Sequence, residues 1–210
     1  MSKRLTVLIT EIRRLRQLFL PDPFDPLGVY ADSARVQAHT RAFLVLSHAE
    51  FESYFEGWAK ELAAASELVW KKFRRVTPPL AFLLSWNQER LAPPASFAAA
   101  MTADSVQRLE ELVKKLFTTF YTRIVDNHGV KEANVLALFG PLGVPASAFS
   151  PTLLPNLDTL GSKRGVHAHH SAKVVVSVLD PETEFSSIQQ LLLDLAVFDQ
   201  WLTTYRKRIR

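Results

Sequence analysis

The stretch that decides the fold class of this chain is residues 104–127, which read DSVQRLEELVKKLFTTFYTRIVDN. Its apolar side chains recur at steps of three and four residues, the period of one face of an α-helix. They are Val106, Leu109, Leu112, Val113, Leu116, Phe117, Phe120, Tyr121 and Ile124. Asp104 is the predicted N-cap, Gln107 is placed to bond back to it, and Gly129 is the predicted stop signal. We therefore predict a long amphipathic helix here.

Three further helices are predicted from the same period on either side of this stretch. The first spans Lys3–Phe19 and ends before a run of prolines. The second begins near Asp32 and can extend as far as Arg75. The last follows Asp180 as N-cap, with Pro181 at the first helical position, where proline is favoured.

Two regions interrupt this regularity. Residues 76–101 contain four prolines around an apolar patch at 80–86, and we interpret them as an insertion with a short helix that leans over a cleft. Residues 131–150 predict a short helix followed by a loop. Residues 174–178 have a β-like composition but no second strand to pair with, so we interpret them as an extended connector. The chain is thus predicted to be one all-α domain over residues 1–210, an antiparallel helical bundle.

Composition excludes several classes of protein. The chain has 210 residues and no cysteine, so disulfides, thiolate metal sites and cysteine nucleophiles are excluded. It contains no apolar run near the roughly 20 residues that span a bilayer, and its amphipathic N-terminus does not resemble a signal peptide, so we expect a cytoplasmic protein without membrane contact. The net charge of +4 is only a mild bias toward polyanions, and the basic clusters are first interpreted as solvated helix faces.

The segment that carries chemistry is residues 150–171, which read SPTLLPNLDTLGSKRGVHAHHS. Ser150 and Pro151 predict the start of a helix, and an inward stripe follows at Leu153, Leu157 and Leu160. Arg164 falls within about 20° of Leu157 on the helical wheel. A buried, unpaired charge costs several kcal/mol. Arg164 therefore needs a carboxylate partner, a cleft or a subunit interface.

Three of the six histidines, His167, His169 and His170, follow within the next turn and a half. On residues alone the simplest interpretation is a chance cluster near a helix C-terminus, which favours positive charge. A metal site is poorly supported, because no carboxylate or further histidine stands at helical ligand spacing. His169 lies about 140° around the helix from Arg164, so one helix cannot aim both groups at one place, whereas two facing copies could.

The run from Arg164 to His169 matches the Arg-x4-6-His motif of the HEPN superfamily. Residues 157–165, LDTLGSKRG, 46–56, LSHAEFESYFE, and 128–134, HGVKEAN, resemble the RiboL-PSP-HEPN subgroup. The resemblance covers most of the chain from about residue 36 to residue 171. Two departures stand out: Gly165 replaces a residue that is often polar, and Ser171 replaces the tyrosine that is nucleotidylated in some related toxins, so we do not predict that regulation.

The resemblance implies a helical bundle that forms a homodimer through its motif helices and cuts RNA in a composite site. Arg164 and His169 are then the catalytic residues, and the supporting candidates are His167, His170, Asp158, Glu52 and Glu56. Neither a cofactor nor a metal is expected. Many such proteins are toxins or act in defence against phage, which makes an antitoxin or another defence protein a candidate partner beside RNA and the second copy.

The residue chemistry agrees with this expectation. RNA supplies its own nucleophile, the 2′-hydroxyl, so an enzyme needs only proton transfer and charge stabilisation. An imidazole with a pKa of about 6.5 can act as acid or base, and a guanidinium binds phosphate oxygens in bidentate fashion. The alternative is a non-catalytic HEPN domain that binds RNA or assembles with another subunit, with Arg164 building the interface. A plain helical scaffold is a third interpretation.

Overall fold

The computed structural model describes residues 1–87, 96, 98, 103–169 and 178–209, without the side chains of residues 103 and 166–169. Within these ranges the helices are α1 (Lys3–Phe19), α2 (Ser33–Phe73), α3 (Pro78–Trp86), α4 (Ala103–Val125), α5 (Glu132–Phe139), α6 (Leu153–His169) and α7 (Pro181–Arg208). Two short 3-10 turns, Gly140–Leu142 and Ala146–Ala148, connect α5 to α6. No strand occurs among the described residues, so the predicted all-α bundle is confirmed.

Helix α2 is the centre of the bundle, because α1, α3, α4, α5, α6 and α7 all pack against it. Its 41 residues bury large side chains along most of their length, including Phe43, Phe51, Phe55 and Leu62. On α7, Phe198 lies fully buried and stacks on Phe149, with ring centroids 4.4 Å apart. The apolar face of each long helix therefore points into one continuous core.

Several helix ends lie where the sequence predicts them. The side chain of Asp180 accepts a hydrogen bond from the Thr183 amide at 2.8 Å, so it caps α7 as predicted. Asp32 caps α2 in the same way, through the Arg35 amide at 3.0 Å. Helix α2 ends at Phe73 because Arg74 adopts the left-handed conformation, with φ of 51°.

The predicted capping of α4 is wrong. The helix already includes Ala103, so Asp104 lies in its first turn and pairs with Arg108 at 2.8 Å. Gln107 donates forward to Glu111 at 2.9 Å instead of bonding back. These i, i+4 partners offer each side chain a bond within the formed helix, which the cap interpretation did not consider.

The first half of the proline-rich region is built into the core. Leu80 and Leu83 of α3 are buried, and the Phe82 ring covers Gly143. Gly143 has φ of +78°, and a Cβ on it would lie 2.2 Å from Phe82 Cδ2. The predicted short helix is confirmed, and its C-terminal end borders a groove of about 520 Å³ that Trp86 and α4 line. That residues 76–101 are an insertion stays a prediction.

A buried carboxylate that the sequence analysis missed joins three helices. Asp199 of α7 is 0% exposed and accepts hydrogen bonds from the Ser2 amide at 2.8 Å, Tyr54 Oη at 3.0 Å and Trp58 Nε1 at 3.2 Å. The Ser2 hydroxyl also donates to it. Burial, followed by the neighbouring Asp199 carboxylate, raises the pKa of Tyr54. This network fixes the N-terminus of α1 against α2 and α7.

None of the helices in the described ranges combines the length and the apolar character that crossing a membrane requires.

Candidate polar site between α2 and α6

Helix α6, the motif helix, is held by the apolar stripe that the sequence predicts. Leu153, Leu157 and Leu160 are all buried. Ser150 Oγ accepts from the Leu153 amide at 3.2 Å, so the predicted cap is confirmed, although residues 151–152 form a turn and the helix proper begins at Leu153. The predicted connector at residues 174–178 falls outside the described residues except for Val178.

Lys163 fastens the other end of α6 to α7. Its Nζ donates to both carboxylate oxygens of Glu184, at 2.8 and 2.7 Å. The Glu184 side chain is only 6% exposed and that of Lys163 is 33% exposed. Because a buried carboxylate needs a fixed counter-charge, this pair holds the register of α6 immediately before Arg164.

The Arg164 side chain is half-buried and faces α2. Among the described residues, its guanidinium makes neither a hydrogen bond nor an ion pair. Its charge nevertheless acts on two side chains of α2: it adds to the burial that lowers the pKa of His48, and it opposes the rise in the pKa of Glu52. Of the three alternatives that the sequence left open, a direct carboxylate partner is thus not found in the described part, and Arg164 lies near His48 and Glu52 of α2.

His48 is the buried side chain of the two. Burial, assisted by the charge of Arg164, lowers its pKa to about 4, so its ring is neutral at neutral pH. The accessible surface of the residue is 3%, which supports desolvation as the main cause. Its Nδ1 lies 4.0 Å from Oε2 of Glu52, too far for a hydrogen bond.

Glu52 is a carboxylate of α2 on which the charge of Arg164 acts. Burial and the neighbouring Glu56 raise its pKa, while Arg164 and His128 act in the opposite direction. Glu50, two residues before Glu52 on α2, faces α1 instead: burial and then Glu11 raise its pKa, and Arg14 opposes them. The structure therefore brings Glu52, and not Glu50, to the motif helix.

Glu56 anchors the loop between α4 and α5. Its Oε1 accepts from Asn127 Nδ2 at 2.9 Å, and the same amide donates to the Gly129 carbonyl at 3.1 Å. Asn134 of α5 in turn donates to Asn127 Oδ1 at 3.4 Å. His128 is held between the two anchored residues of this loop, and its side chain is exposed.

Glu52 and its four neighbours therefore come from three parts of the fold. We call them the polar cluster: His48, Glu52, Glu56, His128 and Arg164. The sequence analysis named Glu52, Glu56 and Arg164 as site residues and missed His48 and His128. His48, Glu52 and Glu56 stand at four-residue steps on α2, a signal that the sequence contains. His128 begins the stretch 128–134 that carries part of the resemblance, but it was given no role there, because only the fold brings its loop to α2.

Asp158, a supporting candidate from the sequence, has a structural contact of its own. Its Oδ1 accepts from the Glu132 amide at 2.7 Å and so satisfies the start of α5. Gly161, on the same helix, makes room for Lys131, since a Cβ there would lie 2.7 Å from Lys131 Cγ. These contacts explain how α6 is seated beside α5.

The histidines predicted to belong to the site, at the C-terminal end of α6, are described only in part. His167 and His169 are within α6 by their backbone, while their side chains lie outside the described residues, as does all of His170. One turn before His169, a side chain at Gly165 would enter open space with respect to the described atoms. No group of three or more metal-binding side chains is present in the described ranges.

Comparison with known proteins adds no relative: no family model, no curated protein and no solved structure matches this chain.

Proposed function

We propose that this protein is a metal-independent endoribonuclease of HEPN type, working as a homodimer. The observation that carries the proposal is Arg164, a half-buried guanidinium on the motif helix without a hydrogen bond or ion pair among the described residues. Lys163, directly before it, is fully engaged by Glu184. A half-buried cation without a fixed counter-ion is suited to binding an anion, and a guanidinium fits two phosphate oxygens at once.

The role of each group follows from the chemistry of RNA. Arg164 binds the scissile phosphate and stabilises the charge that accumulates on its oxygens. His169 transfers a proton, as general acid or base. The 2′-hydroxyl attacks the adjacent phosphorus, the bond to O5′ breaks, and the products are a 2′,3′-cyclic phosphate and a 5′-hydroxyl.

A homodimer would bring together two groups that a single motif helix points in different directions. Because His169 lies about 140° around the helix from Arg164, the two groups of one α6 diverge. Two motif helices packed face to face would bring Arg164 of one protomer toward His169 of its partner. The resemblance to HEPN toxins and phage-defence proteins supports a role of the same kind, with an antitoxin or another defence protein as a partner.

The proposal is tested by cleavage of a short RNA with purified wild-type protein and matched variants. We expect Arg164→Ala and His169→Ala to lower the rate by roughly 100-fold or more. His167→Ala and His170→Ala should have smaller effects. Arg108→Ala is the control, because Arg108 is an exposed arginine paired with Asp104 on α4. RNA binding without cleavage would favour the assembly-module alternative, and full activity of both central variants would exclude the proposed site.

A further inference from the structure

A groove runs along α4, from the end of α3 to the loop before α5. Its first part is the cavity of about 520 Å³, whose lining includes Trp86, Lys115 and Arg123. A second cavity of about 480 Å³ has Asn127 in its lining. Because Thr119 and Arg123 line both cavities, the two form one continuous surface depression. We call it the α4 groove.

The indole of Trp86 is a flat apolar surface within this groove. Its residue is 57% exposed, although tryptophan is highly buried on average in folded proteins. The ring passes Gly140, where a Cβ would lie 3.6 Å from Cη2 of the indole. Helix α3, which ends at Trp86, is held in the core by the buried side chains of Leu80 and Leu83. An exposed indole on an anchored helix can stack on another flat ring.

Two basic side chains border the same groove. Lys115 and Arg123 stand eight residues apart on α4, which is about 12 Å along the helix axis. Arg123 is exposed and makes neither a hydrogen bond nor an ion pair with the residues that the structure describes. Of the described residues in the lining, only Asp126 is acidic, and it borders the second cavity. The charge of the groove therefore favours an extended anion.

The far end of the groove reaches α2 beside the polar cluster. Asn127, in the lining of the second cavity, donates from Nδ2 to Glu56 Oε1 at 2.9 Å. Glu56 belongs to the polar cluster, as does Arg164 of the motif helix. A chain that lies along the α4 groove is thus directed toward the part of α2 that Arg164 faces.

We propose that the α4 groove binds single-stranded RNA, with an unpaired base stacked on Trp86 and backbone phosphates bound by Lys115 and Arg123. The inference deepens the proposed function, on which the choice of RNA over DNA rests. An aromatic face accepts any unpaired base, and a positively charged groove follows the phosphate backbone. A duplex keeps its bases paired and stacked, so the groove selects single strands.

The lining favours RNA over an apolar helix of a second copy. A helix in a groove needs a row of apolar contacts along the groove. Here the apolar side chains Leu83, Leu116 and Phe120 are buried, and Trp86 is the exposed aromatic residue of the lining. The remaining exposed surface includes the guanidinium of Arg123, which suits phosphate better than an apolar face.

The test measures binding to a labelled short oligoadenosine whose 2′-O-methyl groups prevent cleavage, by fluorescence anisotropy at several salt concentrations. We expect Trp86→Ala to weaken binding roughly 10-fold or more, because one base loses its stacking partner. Trp86→Phe should keep most of the affinity. Arg123→Ala should weaken binding and lower the salt slope of the affinity by about 0.7, the value for one phosphate contact on a single strand. Adding the complementary strand should weaken binding to every form of the protein that retains Trp86.

Trp201→Phe and Arg108→Ala are the matched controls. Trp201 is half-buried on α7 and stacks on Tyr205, with 4.9 Å between ring centroids. Arg108 lies on α4 as Arg123 does, but it is paired with Asp104. Both controls should bind the oligonucleotide like wild type. Base stacking should also quench the tryptophan fluorescence of wild type and of Trp201→Phe, and that quenching should be lost in Trp86→Ala.

An unchanged affinity in Trp86→Ala, or quenching that persists in this variant, would overturn the inference. Equal weakening in Arg108→Ala and Arg123→Ala would also overturn it, because it would indicate a general attraction of charge. A Trp86→Ala protein that loses its dimer in light scattering would assign the groove to a second copy instead.

Cleavage of an unmodified RNA separates this inference from the proposed function. Trp86→Ala should raise KM about 10-fold and leave kcat near the wild-type value, since the groove binds RNA away from the reacting phosphate. If wild type binds through the groove and cuts no RNA, the proposed function fails and binding by the groove stands. If wild type cuts RNA and Trp86→Ala keeps its KM, the inference fails and the proposed function stands.

Discussion

Lys163 of α6 and Glu184 of α7 form an ion pair in which one ammonium nitrogen contacts both carboxylate oxygens, at 2.8 and 2.7 Å. The next residue, Arg164, has no such partner among the described residues. Two consecutive cations thus have different surroundings: the first is neutralised where α6 meets α7, and the second lies beside α2 without a partner among the described residues. Lys163 therefore fastens the motif helix, while Arg164 is the cation that we propose binds phosphate.

The first prediction concerns that ion pair. Lys163→Met should lower the free energy of unfolding by roughly 2 to 3 kcal/mol, because it leaves Glu184 buried without a counter-charge. The double variant Lys163→Met with Glu184→Met should recover most of the loss, since an apolar pair removes the unpaired charge. Chemical denaturation measures all three proteins.

The exposed pair of Arg14 and Glu11, 3.2 Å apart, is the control for this experiment. Arg14→Ala should change stability by less than about 0.5 kcal/mol, because exposed pairs contribute little. A double Met variant that is less stable than Lys163→Met would show that the pair is favourable for a reason other than charge compensation.

The second prediction concerns Asp199. Asp199→Ala removes the acceptor of the buried donors Tyr54 Oη and Trp58 Nε1. Each unsatisfied buried donor costs about 1 to 3 kcal/mol, so we expect a loss of roughly 2 to 5 kcal/mol in thermal or chemical unfolding. Asp194→Ala, a half-buried aspartate on the same helix, should lose about 1 kcal/mol or less. Equal losses in the two variants would contradict the role of the network.

The third prediction is a pH dependence of stability that originates at His48. The folded protein holds the pKa of His48 at about 4, below the usual 6.5. Between these values the unfolded chain binds a proton that the folded chain does not bind. The contribution of neutral His48 is therefore fully present above about pH 6.5 and declines as pH falls toward 4, by up to roughly 3 kcal/mol.

Glu50 and Glu52 oppose this trend. Their pKa values are raised in the folded protein, so the folded state binds their protons more readily than the unfolded chain, and stability increases as the pH falls toward these pKa values. The measurement is accordingly the difference between wild type and His48→Gln, by chemical denaturation at several pH values from 4 to 7. The wild type should lose more stability toward pH 4 than the variant. Parallel curves would show that His48 does not titrate as the structure requires.

The sequence predicted the fold well because helical periodicity is a local signal. The stripe of Leu153, Leu157 and Leu160 is buried as expected, and both Ser150 and Asp180 cap their helices. The start of α4 was missed because Asp104 has a partner inside its own helix, Arg108, that competes with the capping role.

The candidate site was only partly predictable. Glu52 and Glu56 could be named from α2 and Arg164 from the motif, because each stands in a recognisable local pattern. Asp199 could not be named, since its role arises from contacts between segments distant in sequence. Asp199 bonds to Ser2, almost the full length of the chain away. No periodicity or spacing carries that information.

The fourth prediction is the oligomeric state. We expect a homodimer with α6 at its centre, visible by light scattering at tens of micromolar protein. Mixing Arg164→Ala with His169→Ala should regain part of the activity, because one of the two composite sites in a mixed dimer is then complete. A monomer at these concentrations, or mixed variants that stay inactive although they form dimers, would contradict the composite site.

The most direct test of the central claim is the identity of the products from a short RNA and from the same sequence carrying a single 2′-deoxy position, both incubated with wild-type protein and EDTA. Mass spectrometry identifies the chemical groups at the ends of the cleavage products and so distinguishes the mechanisms. The account predicts cleavage of the RNA to a 2′,3′-cyclic phosphate and a 5′-hydroxyl, and no cleavage at the 2′-deoxy position. Cleavage at the 2′-deoxy position, a 5′-phosphate product, or activity that EDTA abolishes would contradict it.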